Sequence, residues 1–501
     1  MFGSYDTARL IRRPAPIDTH SESATEGTTV DLVEYSAHDA VGLAAAIRSG
    51  EVSRAEVEVL ARRAIDAVNP DLNALAQPLF DPALTHDEGG PFAGVPFLIK
   101  DSGPFARGVQ FALGSRSIQG VAAQSDHELM RRFRAAGLVA MGQSTAPEFG
   151  LNFATEPVRT GPTRNPWDLD RGVGGSSGGA AALVAAGAVP LAHANDAAGS
   201  IRVPAACCGL VGLKPSRGRT PNGPLAGEAA FGLIGEFALT RSVRDAAHLL
   251  DAVGAPTVGE KYTLPAPTTS YARSVHRDPG RLRVALMSSA WSGVPVDAQV
   301  SAATDEVART LEWIGHQVQP DRPPLDPDDI VEAEMLGVLA TGTALLHAPR
   351  RPDPARLEAV SRVVLEETAR ASALDVAAAI DAQNRVTRSI GQFLGRYDLL
   401  LTPTVAQLPP RHGTLDYNAP GHTARSWIRR ILEFGPFTAP FNISGHPAIS
   451  LPLGQSREGL PIGVQLVAAC GRDDLLLQVA AQLEQALPWT GRLPPIHADQ
   501  T

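Results

Sequence analysis

The sequence predicts an α/β protein, and three observations carry that reading. Short apolar runs of strand length recur along the chain, and stretches of helical length and periodicity stand between them. A composition of 44% hydrophobic and 19% charged residues over 501 positions is that of a globular chain long enough to bury such a sheet. Neither an internal repeat nor a low-complexity linker divides the sequence, so residues 31–501 are read as one domain and residues 1–30, polar and without apolar periodicity, as a mobile arm.

Along the chain, Ser36 with Asp39 and Ser53 with Glu56 fit the capping-box spacing and predict two short helices. The second carries Val57, Leu60, Ala64, Ile65 and Val68 on one side and should end at Asn69-Pro70. Val95 to Ile99 is a buried strand with Lys100 at its end; a helix over 125–136 follows, then the strand LVAMG. Residues 152–173, rich in Pro, Gly, Thr and Arg, read as an ordered loop that delivers the chain to GGSSGG at 174–179. A small-residue helix over 177–187 and a strand over 189–194 come next. In the second half, strands at 283–287 and 398–401 flank helices at 298–314, 330–346 and 357–393. PAISLP and PIGVQLVAA predict a strand pair ahead of a closing amphipathic helix, DDLLLQVAAQLEQAL.

A net charge of −9 argues against nucleic acid or an anionic membrane as partner. No apolar stretch reaches the roughly 18 residues of a membrane helix. Arg12-Arg13 is followed by Pro14 and Pro16 instead of the apolar core of an export signal. Three cysteines without a CxxC spacing suggest neither a disulfide framework nor a metal site, and a reducing cytoplasm is the expected compartment.

The chemistry concentrates between Gly174 and Lys214. Serine is a weak nucleophile, so acyl transfer requires a base within hydrogen-bond reach and donors where the oxyanion forms. A phosphate loop is disfavoured because Gly178-Gly179 leads into Ala180 and not into G-K-[ST]. Ser176 and Ser177 each satisfy G-x-S-x-G, with His347 or His446 as distant bases, but the preceding DLDRGVGG reads as a turn where a nucleophile elbow requires a strand. The third reading joins Lys100, Ser176 and Ser200.

Four blocks occur together: G-V-P-x-x-x-K-D at 94–101, GGSSGG at 174–179, D-x-x-G-S-I-R-x-P at 196–204 and C-G-x-x-G-L-K-P at 208–215. In these blocks, their order and their spacing, the chain resembles the amidase signature family. The resemblance implies a mixed central β-sheet covered by helices on both faces. It further implies Ser200 as nucleophile, Ser176 as a bridging serine after a cis peptide, and Lys100 as base, without metal or organic cofactor. Lys100 must be neutral to accept a proton, and its apolar neighbours Val95, Phe97, Leu98 and Ile99 supply a reason for its pKa to fall.

The N–H groups of Ala197, Ala198 and Gly199 are the candidate oxyanion hole. Ala198 stands where most members have glycine, and with NDAAGSIRVPA, TRNPWDLDR and the C-terminal segment it draws the resemblance towards family members that hydrolyse cyclic amides. The resemblance fades over 326–396, within the helical region 298–395 expected to wall the substrate pocket. The expected partner is a small linear or cyclic carboxamide, and the expected assembly a homodimer. An amidase subunit of a glutamine-dependent amidotransferase is disfavoured by PSRGRTPNGPL after Lys214; a catalytically silent binding scaffold is the other alternative.

Other side chains have plainer readings. Ser177 either bonds the catalytic pair or caps its helix, and Asp196 with Arg202 forms an ion pair that braces the loop. Cys207, Cys208 and Cys470 read as small core residues, Asn442 and Ser444 as turn-formers, and His193 as a satisfied strand histidine.

Overall fold

A computed structural model describes residues 30–118, 122–224 and 229–500. The expected arm over residues 1–30 lies, except for Val30, outside them. Among the described residues, twelve strands occur in chain order: β1 Pro96–Lys100, β2 Val139–Ser144, β3 Arg164–Asn165, β4 Asp168–Gly172, β5 Leu191–Asp196, β6 Val211–Lys214, β7 Gly235–Thr240, β8 Arg283–Leu286, β9 Gln317–Pro320, β10 Leu399–Pro403, β11 Ala448–Gln455 and β12 Pro461–Ala468. Eight form the central sheet in the order β5-β7-β6-β11-β12-β10-β8-β9. It is mixed: β10/β8 and β8/β9 are parallel, whereas the pairs from β5 through β12 to β10 are antiparallel. The parallel pair β1/β2 runs beside β5, which brings the ends of β1 and β5 together.

Packing follows from what the strands bury. Every residue of β1, β2, β6, β10 and β12 is buried. Helix Gly178–Ala185 packs on β5, Arg202–Cys208 on β6, β11 and β12, Ala298–Trp313 on β10 to β12, and Asp473–Ala486 on β11 and β12. The predicted hairpin PAISLP/PIGVQLVAA is the antiparallel pair β11/β12.

Local chemistry explains where the boundaries differ from the sequence reading. Ser53 and Glu56 form the capping box of helix Arg54–Leu72, but that helix runs through Asn69-Pro70 and stops at Asn73, whose backbone is left-handed (φ 51°). Ser36 caps nothing: its hydroxyl donates to the Val33 carbonyl, while Asp31 caps Leu32–Ala37 and Asp39 itself caps Ala40–Ser49. The single helix expected over 357–393 is two, Ala359–Arg370 and Ala373–Leu394, because Ser372 and Asp375 build a fresh capping box between them. The loop 152–173 contains the β3/β4 hairpin, so DLDRG, read as a turn, is strand β4. β4 pairs with β3 outside the central sheet, and Val173 to Gly175 separate it from Ser176.

Candidate active site

Lys100 ends β1 with no exposed surface. Its Nζ donates to Ser176 Oγ at 2.7 Å and to Asn195 Oδ1 at 2.7 Å. Burial removes the hydration that an ammonium requires and pushes its pKa down to about 7, although Glu236 and Asp196 pull the other way. Asn195 is held in turn: its Nδ2 donates to Glu236 Oε1 at 3.3 Å, and Glu236 Oε2 lies 2.6 Å from His193 Nε2. His193 thus has a partner on β7, which makes it part of the chain of polar groups behind Lys100.

Ser176 follows a cis Gly175–Ser176 peptide. The glycines after it serve close packing. A methyl group on Gly179 would lie 2.4 Å from the Thr145 backbone nitrogen and 2.5 Å from the Ala74 carbonyl oxygen, two backbone atoms with no soft torsion to move them aside. Gly179→Ala is therefore expected to destabilise the fold by about 1–3 kcal/mol, measured by urea unfolding.

Asn195 and Asp196 end β5, and residues 197–200 turn from it into helix Arg202–Cys208. No hydrogen bond among the described residues takes up the N–H groups of Ala197, Ala198 or Gly199. Ala198 does not have a positive φ, so its side chain carries no left-handed strain. Gly199 does require glycine: its φ is 151°, and a Cβ there would stand 2.5 Å from Thr438 Oγ1. Thr438 Oγ1 donates to the Ala198 carbonyl at 2.5 Å, which, through the planar peptide, fixes the direction of the Gly199 N–H.

A buried ion pair braces this turn. Asp196 Oδ2 accepts from the Ile201 and Arg202 backbone N–H groups and from Arg202 Nε, and Oδ1 accepts from Arg202 Nη2 and Asn442 Nδ2. Arg202 directs its two Nη1 protons to Thr438 O and Gln465 Oε1, and Nη2 also reaches Asn442 Oδ1. Burial opposes the Asp196 charge, but the Arg202 charge and the hydrogen bonds win and hold its pKa at about 2.

Ser176, Ser200, Ala197 and Ala198 line one cavity of about 280 Å³. Its walls are mainly apolar: Phe105, Phe149, Leu151 and Phe153 from one part of the chain, Val338 and Leu345 from helix Pro327–Leu346, and Ile428 and Ile431 from helix Ala424–Phe434. Within the helical region 298–395, Pro327–Leu346 alone supplies wall residues, whereas Ala298–Trp313 lies against the sheet.

Several other sequence expectations need correction. Ser177 begins helix Gly178–Ala185, yet its hydroxyl makes no cap; it donates to the Asn195 carbonyl at 3.3 Å. Asn442 is no mere turn-former, since its amide joins Asp196 to Arg202 and also donates to the Leu233 carbonyl. Ser444 lies 2.9 Å from His446 Nδ1. Cys207 and Cys208 are buried, but Cys470 is exposed in the turn after β12. Neither His347 nor His446 lines the cavity, and burial next to Lys214 and Arg217 holds the His446 pKa down to about 4. Asn195, Glu236 and Thr438 went unread in the sequence; only Asn195 had a visible cue, its place next to Asp196 at the end of a strand. Among the described residues no group of three or more His, Cys, Asp or Glu side chains is arranged to hold a metal ion, and no helix is long and apolar enough to cross a membrane.

Comparison with known proteins places this geometry. The 6-aminohexanoate-cyclic-dimer hydrolase of Paenarthrobacter ureafaciens is 40% identical over 481 residues, covering 91% of this chain and 96% of that protein. A solved structure of 6-aminohexanoate cyclic dimer hydrolase superposes with a TM-score of 0.86 at 38% identity, covering 92% of this chain and 99% of the other. The crystal structure of a bacterial aryl acylamidase of the amidase signature family shares the fold at a TM-score of 0.80 and 26% identity, covering 90% and 97%. The family model described as Amidase matches residues 57–477, which hold all four sequence blocks, the cavity and the network behind Lys100; this chain belongs to the amidase signature family and is a hydrolase of amide bonds.

Proposed function

We propose that the chain hydrolyses a small linear or cyclic carboxamide through an acyl-enzyme on Ser200, with Ser176 and Lys100 as proton relay and no metal or organic cofactor. The observation that carries this reading is the 2.7 Å contact of the buried Lys100 with Ser176, which lines one cavity together with Ser200. Ser200 Oγ attacks the carbonyl carbon, its proton passes to Ser176 Oγ, and the proton of Ser176 passes to neutral Lys100 Nζ. The N–H groups of Ala197, Ala198 and Gly199 stabilise the oxyanion. When the C–N bond breaks, Lys100 returns the proton through Ser176 to the leaving nitrogen, and water then releases the acid by the same relay. Asp196, Arg202 and Ser177 hold the parts in place. A cyclic lactam like the cyclic dimer of 6-aminohexanoate is the favoured substrate, because the relatives 40% identical to this chain are named for it. We place the enzyme in the cytoplasm as a homodimer with one domain over 31–501.

The test is hydrolysis of that cyclic dimer across pH. If Lys100 is the base, kcat/KM rises with pH to a plateau with a midpoint near 7, set by the depressed pKa. Lys100→Met removes that limb along with most of the rate; a limb unchanged in the variant rejects the base assignment. Stability supplies an independent check. The folded-state pKa of Lys100 is below its ordinary 10.5, so the unfolded chain binds more protons between about pH 7 and 10.5. The penalty is fully present below that window, amounts to about 4–5 kcal/mol at 1.36 kcal/mol per unit, and is relieved as pH rises through it. Urea unfolding of Lys100→Met should accordingly gain less stability from pH 7 to 9 than wild type does.

A further inference from the structure

One ionisable side chain in the cavity wall has no part in the relay. Glu334, on helix Pro327–Leu346, lines the cavity with 4% of its surface exposed, and its Oε1 has no hydrogen-bond partner among the described residues. Buried carboxyl groups are rarely left so, because an unsatisfied polar atom costs the full hydration it has lost. Arg202, the nearby cation, is no partner: Asp196, Asn442, Thr438 and Gln465 already take up its N–H groups. The surroundings also disfavour an anion. Burial first and the Asp196 carboxylate second push the Glu334 pKa well above the usual carboxylate range, with Arg202 opposing. Held towards its neutral form, the group offers the O–H donor and carbonyl acceptor of a carboxylic acid in a mainly apolar wall.

We infer that Glu334 is a specificity residue that hydrogen-bonds a second, uncharged amide of the substrate, so that the enzyme prefers diamides, linear or cyclic, over monoamides. This inference rests on the amide-hydrolase reading and deepens it. A carboxylic acid can donate to an amide carbonyl or accept from an amide N–H, and both polarities of the amide are then served at one point of a mainly apolar wall. An ammonium-bearing substrate is the competing occupant, and it would require Glu334 to ionise next to Asp196.

The experiment compares wild type, Glu334→Gln and Glu334→Leu on the cyclic dimer of 6-aminohexanoate and on hexanamide, which has a single amide. Glutamine keeps one donor and one acceptor without charge, so KM for the dimer should stay within about threefold, whereas leucine should raise it about tenfold with kcat little changed. KM for hexanamide should be unaffected by either substitution. Glutamine as damaging as leucine would indicate recognition by a carboxylate and overturn the proposal, as would an unchanged KM in the leucine variant or an equal loss on both substrates. A variant-free arm covers the case in which Glu334→Leu does not fold. Wild-type kcat/KM for a linear diamide should exceed, by about tenfold, that for the equally long analogue with an ammonium in place of the second amide; the reverse order overturns the proposal. Wild type inactive on every amide offered would instead fail the amide-hydrolase reading itself.

Discussion

Ser200→Ala should reduce kcat on any amide substrate by at least about 10⁴-fold while leaving the unfolding curve almost unmoved. The hydroxyl is small, it lies at a cavity wall, and no hydrogen bond of the fold among the described residues uses it, so its loss leaves no buried partner stranded. Lys100 and Ser176 would remain in contact, since their bond does not pass through Ser200. The residual rate would measure what the backbone donors at 197–199 and the cavity do alone. Circular dichroism and urea unfolding establish the intact fold, and a fluorophosphonate probe should label wild type but not the variant. Rate retained within tenfold would sink the nucleophile assignment.

The largest effect on stability is expected at Arg202. Arg202→Met removes one side of a fully buried ion pair and strands Asp196, which keeps only two backbone donors and Asn442. Breaking such a pair costs about 3–5 kcal/mol, so the urea midpoint should fall by the corresponding amount. Arg202→Lys should lie between the two, because three ammonium protons cannot replace five donors in a planar fork. Activity should fall in both variants by more than the unfolded fraction explains, since Asp196 holds the backbone of Ile201 and Arg202 directly after Ser200. Full activity in a folded Arg202→Met protein would show that the turn at 197–200 holds its shape without the brace.

The parts of the fold legible in the sequence were those built by local rules. Apolar runs gave β1, β2, β11 and β12, and the Ser53/Glu56 box gave the start of a helix, because burial and capping are properties of neighbouring residues. β6 and β7 went unread because each carries an ionisable residue in a short run. β6 is only four residues long and ends in Lys214, and Glu236 breaks the apolar run of β7; both side chains are held inside the fold, where Lys214 donates to the Pro215 carbonyl and Glu236 meets His193 and Asn195. The break at Ser372 was legible as S-A-L-D but was masked by helical periodicity on either side. The positions of Lys100, Ser176 and Ser200 came from spaced motifs, but Thr438 and Asn442 lie about 240 residues from the groups they touch, and no local pattern encodes such a meeting.

The cavity is assembled from separate stretches of chain with two different duties. Every group assigned to bond breaking lies between Lys100 and Ser200, whereas much of the wall that meets the rest of a substrate comes from 334–345 and 428–431. The parts with the two duties can therefore drift separately. Gly337 illustrates the freedom this leaves: a methyl group added there would meet Leu233 at 3.6 Å, an ordinary contact, so it could reshape the wall without pressing on the relay. A lineage with this architecture can exchange one diet of amides for another by editing one helix face, while the reaction that consumes them is inherited unchanged.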